Sequence, residues 1–241
     1  MTRLALGVSL GLTVALLTGL PAEAEEQGVV GRWSFAVRSG QVPDLSPQQH
    51  PLRLSGSWTR ADGRRGSAAV RFDSTSVARG SHHSSLDPGR KRFAVAVAFR
   101  MPSGSYAFSG TDSPNVVQKG QYGSRGQWKV QLLGRDGGRV QCRVKGRAGS
   151  VMVTSRVSGI AADRRWHRVI CIRRPGKVVL VVDGQRTSER GRTGLVSSSS
   201  PLTVANKASR SRSDQFRGVI DELVVAKGKD AARLARRALR P

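Results

Sequence analysis

The stretch Phe93-Ala94-Val95-Ala96-Val97-Ala98-Phe99-Arg100-Met101 decides the fold. Phe93, Val95, Val97, Phe99 and Met101 occupy every second position, with Ala94, Ala96 and Ala98 between them. Side chains alternate across a β-strand, so the large set points one way and the alanines the other. The large face calls for a hydrophobic core. The alanine face predicts a second layer lying close against it.

Working outward, short β-branched runs punctuated by Gly, Pro, Ser and Asp-Gly fill most of the chain, the pattern of an all-β sandwich or barrel. Strands are expected in VVGRWSFAV around Trp33, LRLSGSW around Leu54, AAVRF before Asp73, QWKVQLL (127–133) and GRVQCRVKG around Cys142. RWHRVICIRR (165–174) and KVVLVVDG (177–184) are joined by Pro175-Gly176, a tight hairpin signal. Pro201–Val204 and FRGVIDELVVAK (216–227) complete the set. Gly- and Ser-rich stretches such as MPSGSYAFSGTDSP and GLVSSSSP read as loops. No composition break divides the chain, and one domain is expected over residues 25–228.

The last residues, KGKDAARLARRALRP, form a basic tail or a short helix over 229–241, with Asp230 placed to cap its own N-terminus. Ala231, Leu234, Ala235, Ala238 and Leu239 fall on one face, and the arginines mostly on the other. A segment of about a dozen residues is marginal as an isolated helix. It is either a frayed tail or a docking helix for an anionic surface.

The 241 residues carry 41 Lys+Arg against 16 Asp+Glu, a formal charge of +25. At 38% hydrophobic the chain can build a real core, which excludes disordered, collagenous and disulfide-scaffold classes. The one membrane-grade segment is at the N-terminus. Arg3 precedes an apolar run from Leu4 to Leu20, followed by Pro21 and the triplet Ala22-Glu23-Ala24. This is the grammar of a secretory signal over 1–24, with cleavage expected after Ala24 and retention as an anchor the alternative. The destination is then extracellular, and the mature chain has no transmembrane span. With an even count of two and an oxidising destination, Cys142 and Cys171 are expected to form a disulfide between adjacent strands.

In order along the chain, W-x-F (Trp33, Phe35), D-x-S (Asp44, Ser46), A-V-R-F-D (69–73), FAVAVAFR, Val116–Gly120 and QWKVQL resemble a known family. So do Trp166-His167-Arg168-Val169, Leu180–Gly184, Pro201–Val204 and Phe216–Glu222. Together they look like a secreted bacterial laminin G-like domain of the concanavalin A-like lectin/glucanase superfamily. The resemblance implies an all-β fold, a two-sheet antiparallel jelly-roll sandwich, with ligands taken at a concave face or at rim loops. It also implies calcium as a candidate cofactor, and Asp44 and Asp221 match the motif positions that would supply carboxylate ligands. Asp73 is a weaker match, because Ser74 stands where the family has Gly. Ala205 similarly replaces the Gly that follows P-L-x-V. The alternative is that Asp44 and Asp221 tie loops down by hydrogen bonds without a metal.

Glucanases of this fold need an acid and a nucleophile about 5 Å apart. No E-x-D-x-E spacing occurs here, and Asp221 and Glu222 are sequence neighbours expected on opposite strand faces, so no catalytic residue is assigned. The resemblance gives His167 a structural role. His82-His83 lacks a third ligand at zinc spacing and reads as a polar loop. Trp33, Trp58, Trp128 and Trp166 read as core anchors rather than a sugar-stacking platform. The expected function is a secreted, non-enzymatic binding module for a glycan or cell-wall polymer. Two alternatives stand beside it. One is a basic protein drawn to anionic polymers such as teichoic acid, extracellular DNA or a membrane surface; the other is a structural partner of other surface proteins. Sequence-specific nucleic-acid recognition has no support, since no interleaved aromatic and basic motif occurs.

Overall fold

Alternating side chains cut by turn residues give sixteen strands among residues 27–102, 113–134, 137–207 and 214–240, which the computed structural model describes. In chain order they are β1 (Val29–Trp33), β2 (Gln41–Val42), β3 (Leu52–Ser55), β4 (Trp58–Asp62), β5 (Ala68–Phe72) and β6 (Val77–Arg79). Then come β7 (Phe93–Arg100), β8 (Asn115–Lys119), β9 (Gln127–Leu133), β10 (Arg139–Gly146) and β11 (Gly149–Thr154). The chain continues with β12 (Trp166–Arg174), β13 (Lys177–Val182), β14 (Gln185–Arg190), β15 (Leu202–Val204), β16 (Gly218–Lys227) and one helix, α1 (Ala231–Ala238). The expected signal, 1–24, lies outside the described residues. Among those described, no helix is long and apolar enough to cross a membrane.

The strands form two antiparallel sheets. The first runs β14-β13-β12-β7-β16-β5-β4, with β1 added alongside β16; the second runs β11-β10-β9-β8-β15-β6-β3-β2. The expected jelly-roll sandwich is the observed fold. β7 is central to the first sheet and behaves as its sequence requires. Phe93, Val95, Val97, Phe99 and Met101 are buried in the core between the sheets, while Ala94, Ala96 and Ala98 belong to a second apolar cluster on the outer face. The close-lying layer on the alanine side is α1, which buries Ala231, Leu234 and Ala235 there. The basic C-terminal segment is therefore a packed helix from Ala231 to Ala238, and burying Leu234 alone stabilises it by about 1.5–3 kcal/mol. Asp230 is the N-cap residue, but its carboxylate makes no capping bond. Its backbone carbonyl instead accepts from the N–H groups of Arg233 and Leu234.

Three local features depart from the sequence expectation or explain it. LRLSGSW is two strands, because at Gly56 (φ +79°) the chain leaves the second sheet and enters the first. A Cβ at Gly56 would lie 2.4 Å from the Thr75 carbonyl oxygen, so only glycine turns this corner. Ala205, the position where the related pattern has Gly, takes φ +69°. Such a conformation costs a non-glycine residue about 1 kcal/mol or more. Hydrogen bonds hold it there: its N–H donates to Val116, and its carbonyl accepts from the Phe216 N–H and the Gln215 side chain. In β16 the pairing shifts between Ile220 and Leu223. Before the shift Gly218–Ile220 pair with β5, and after it Leu223–Ala226 pair with β1, so Asp221-Glu222 sit where the strand exchanges partners.

Cys142 and Cys171 are bonded, with Cα atoms 6.0 Å apart. The expected pairing holds, but not its expected geometry. Cys142 is on β10 of the second sheet and Cys171 on β12 of the first, so the bond crosses the core and joins the two layers. Both side chains face inward for the same alternation that buries Val140 and Val169 beside them. Closing a loop of about 30 residues is worth roughly 3.6 kcal/mol in the chain-entropy account. Accordingly, Cys142→Ala/Cys171→Ala lowers unfolding stability by about 3 kcal/mol, read from urea midpoints, and reductant lowers the wild-type midpoint to match. A midpoint that ignores reductant would contradict this assignment.

Candidate functional site

On β9, Trp128, Val130 and Leu132 enter the core, so Gln127, Lys129 and Gln131 face outward. On β10 the inward set is Val140, Cys142 and Val144, which turns Gln141, Arg143 and Lys145 to the same outer face. The strand register aligns these side chains into rows. Asn115, Gln131 and Gln141 form one; Gln118, Lys129 and Arg143 another; Gln127 and Lys145 a third.

An outward polar face is ordinarily wet, yet here Asn115 is 1% exposed, Gln127 2% and Gln131 5%. They are crowded at a concavity of about 450 Å³ lined by Asn115, Gln118, Gln127, Lys129, Tyr122 and the Lys207–Asp214 ion pair. The amides are only partly used. Gln131 Nε2 donates to Gln141 Oε1 at 2.7 Å, and Gln127 Nε2 donates to the Gly120 carbonyl at 3.2 Å. Gln131 Oε1, Gln127 Oε1 and both polar atoms of Asn115 are buried without a protein partner. An unmet buried polar group costs about 1–3 kcal/mol, so four in one place call for partners from solvent or ligand.

Tyr122 stands at this concavity, 75% exposed. The Arg143 guanidinium carbon lies 4.5 Å from its ring centroid and Lys145 Nζ 5.7 Å, while Lys145 Nζ donates to the Tyr122 carbonyl at 2.8 Å. These contacts fix an aromatic plate beside the amides. Burial pushes the Lys129 ammonium down to about 8; Asp214 opposes the shift, and the charges of Arg143 and Lys207 add to it. The groove thus offers amide donors and acceptors, an aromatic face and a poorly hydrated cation.

The residues singled out by sequence lie elsewhere. Asp44 accepts from the N–H groups of Arg32, Ser46 and His50 and from the Ser46 hydroxyl, at 2.8–3.0 Å. Asp221 accepts from the Arg64 N–H at 2.6 Å and the Ser67 hydroxyl at 3.3 Å. Each aspartate is thus held by its own set of donors. A calcium site needs oxygen lone pairs facing the ion, whereas N–H and O–H groups face these carboxylates. Among the described residues no group of three or more His, Cys, Asp or Glu is placed to hold a metal. Glu222 pairs with the Arg64 guanidinium, so neighbouring Asp221 and Glu222 both bind the β4–β5 turn. Burial, and next to it the charge of Glu222, raises the Asp221 pKa against the hydrogen bonds that lower it.

His167 is buried, with Nδ1 2.7 Å from Asp183 Oδ2 and Nε2 3.0 Å from Asp163 Oδ1, a structural clamp for the start of β12. His82 approaches Lys119 Nζ at 3.2 Å; that wholly buried ammonium also donates to Asp87 and to the Ser198 carbonyl. His83 stacks on His50. Trp33 and Trp128 are core, donating to the His50 and Leu86 carbonyls; Trp58 and Trp166 are half-buried against the two clusters. Sequence reasoning missed Asn115, Gln118, Tyr122, Gln127, Lys129 and Gln131. The one signal for them was the alternation of Gln127, Lys129 and Gln131 with Trp128, Val130 and Leu132.

A two-sheet antiparallel sandwich with an amide-lined groove on one outer face defines the class, a concanavalin A-like β-sandwich domain. The chain belongs to the concanavalin A-like lectin/glucanases superfamily, laminin G type, whose family model matches residues 73–229. No curated protein matches it in sequence. Among solved structures it is similar to the binding domain of Paraclostridial Mosquitocidal Protein 1, with TM-score 0.70 and 16% identity over 88% of this chain and 52% of that one. The botulinum neurotoxin type G receptor binding domain gives TM-score 0.61 and 13% identity, over 88% and 51%. Domain 4 of AbnA, a GH43 extracellular arabinanase from Geobacillus stearothermophilus in complex with arabinotriose, gives 0.58 and 15%, over 88% and 98%. At these identities the likeness is one of fold. The chain spans about half the length of the toxin binding domains and nearly all of the arabinanase domain.

The hydrogen bonds around Asp44 and His167 can each be tested. Asp44→Ala strands the amides it holds and costs about 1–3 kcal/mol. If hydrogen bonds alone anchor this loop, Ca²⁺ and EDTA leave the wild-type Tm in place; a Ca²⁺-dependent rise that Asp44→Ala or Asp221→Asn abolishes would instead put the ion at that residue. For His167, burial opposes protonation, but the hydrogen bonds and charges of Asp183 and Asp163 outweigh it and raise its pKa above the ordinary 6.5. Asp183 is likewise opposed by burial and held below 3.8 by His167 and the Arg168 N–H. The His167 contribution is therefore complete below 6.5 and lost as pH rises through its folded value. That of Asp183 is present above 3.8 and lost as pH falls through its own. A plot of Tm against pH should be highest between these limits, and His167→Gln should flatten its alkaline decline. An unchanged alkaline slope in that variant would refute the clamp.

Proposed function

We propose that the protein is a secreted, non-enzymatic module that binds a glycan or cell-wall polymer in the groove over β8, β9 and β10. The observation that carries this reading is the cluster of buried, unpartnered amide atoms on Asn115, Gln127 and Gln131 beside the exposed Tyr122 ring. Sugar hydroxyls both donate and accept, which suits a lining that carries the unmet Nδ2 donor and Oδ1 acceptor of Asn115 and the unmet Oε1 of Gln127. The apolar face of a pyranose or furanose packs on an aromatic ring. The size is also right, since small-molecule sites occupy about 300–1,000 Å³. Similarity in fold to an arabinanase domain solved with arabinotriose supports the ligand class. The inter-sheet disulfide and the A-x-A signal support an extracellular destination.

A glycan array, followed by calorimetry on the best ligand, tests it. Tyr122→Ala should weaken binding about tenfold, because aromatic packing contributes on the order of 1 kcal/mol. Asn115→Ala should abolish binding while leaving Tm unchanged or raised, since it removes two unmet polar atoms. Affinity should change little between about 0.1 and 0.5 M salt, as neutral hydroxyl recognition requires. Binding that survives both substitutions, or that collapses with salt, would overturn the groove as the glycan site.

A further inference from the structure

On the opposite side of the sandwich, the C-terminal end of α1 meets the outer face of β12, β13 and β14. A second cavity of about 440 Å³ opens there. Arg168, Arg186, Arg236 and Arg240 line it, with Ile170 and Leu239 supplying apolar wall, and none of its lining residues is acidic. The convergence follows from three elements. Arg168 and Ile170 share the outer face of β12 with alternate spacing; Arg186, on the edge strand β14, is paired with Val181; Arg236 lies in the last turn of α1, and Arg240 follows the helix C-cap Leu239, its N–H donating to the Arg237 carbonyl.

We propose that this cleft binds a phosphate monoester carried on a short aliphatic group. Four arginines line the cavity and no acidic residue does, Asp183 acting on Arg168 from outside it, so an anion entering there meets an excess of positive charge. Some of the local guanidinium groups also close the helix end, where Arg168 Nη1 donates to the Leu239 carbonyl at 3.4 Å and Arg64 Nη1 donates to that of Arg240 at 3.1 Å. The side chains of Arg186 and Arg236 have no hydrogen-bond or ion-pair partner among the described residues. They are the surplus that helix capping does not explain. A phosphate monoester brings close to two charges and three acceptor oxygens at neutral pH, more than a single carboxylate offers, and guanidinium forks match its geometry. Ile170 and Leu239, both buried, give the carbon side of the ester an apolar contact. The site stands apart from the groove on the other sheet and does not depend on it.

The test is calorimetry on the full secreted chain at neutral pH with inorganic phosphate and hexyl phosphate, beside co-sedimentation with phosphatidylcholine vesicles with and without phosphatidic acid. Hexyl phosphate should bind one to one and about tenfold more tightly than inorganic phosphate, and Arg186→Ala and Arg236→Ala should each weaken it about tenfold. Both residues are exposed, so the variants keep their fold. Asn115→Ala in the groove should leave this binding unchanged, which keeps failure of either site distinguishable. Sedimentation with phosphatidic acid vesicles, lost in Arg186→Ala, would identify a lipid head group as the source. Hexyl phosphate binding without sedimentation would identify a soluble phosphorylated polymer. If hexyl phosphate does not bind, or if both arginine variants titrate like the wild type, the cleft is not a site and the attraction belongs to the diffuse field of the chain.

Discussion

The structure depends on β7 having to serve two layers at once. Its large residues must fill the space between the sheets, and its alanines must leave room for a helix on the other side. Cores pack at crystal-like density, so neither face tolerates the other's residues. Because β7 lies between β12 and β16, the same demand passes to its neighbours, and Ile170, Ile172, Val224 and Ala226 complete the outer apolar patch. Covering that patch with α1 uses up most of the outer face of the first sheet. The second sheet carries no such patch among the described residues. Its outer face is polar and bears the amide-lined groove.

Most of this fold was legible because it rests on period-two alternation. The two faces of FAVAVAFRM, the Pro175-Gly176 hairpin and the pairing of the cysteines could all be read directly. Alternation does not say which sheet a strand joins. That is why Cys142 and Cys171 read as cross-strand partners when they are cross-sheet partners, and why LRLSGSW read as one strand when Gly56 sends its halves to different layers. β14 (Gln185–Arg190), polar on both faces, has no apolar pattern to detect; it exists because β13 offers it a backbone edge. The C-terminal helix is amphipathic in sequence, but whether it docks depends on alanines far earlier in the chain, a relation that only tertiary structure supplies.

The site was much less legible, for a related reason. Gln127, Lys129 and Gln131 opposite a buried set look like an ordinary solvent face. What makes them unusual is burial on that face, which comes from cross-strand neighbours: Asn115 against Gln131, Gln118 against Lys129, Arg143 beyond. A polar row becomes a buried, partly unpartnered one when long side chains from three strands crowd one another out of water. Aspartates, by contrast, are conspicuous in sequence, and here Asp44, Asp87, Asp183 and Asp221 all serve as anchors that gather backbone amides or buried cations.

Charge links the two outer faces. Sixteen acidic residues can offset at most sixteen of 41 cations. Several of them are committed to local pairs: Asp87 to buried Lys119, Glu222 to Arg64, Asp183 and Asp163 to His167. Cations spread over a surface in high dielectric repel one another weakly, because salt screens them within about 10 Å. The arginines at the end of α1 are different. They converge on one cavity beside the apolar side chains of Ile170 and Leu239, with no acidic residue in its lining. The helix end draws Arg168 and Arg64 inward through its last carbonyls, and the hairpin leading into β14 brings Arg186 to the same place. Packing α1 onto the alanine face therefore concentrates positive charge at one edge of the sandwich. The placement of that charge traces back to three alanines in β7.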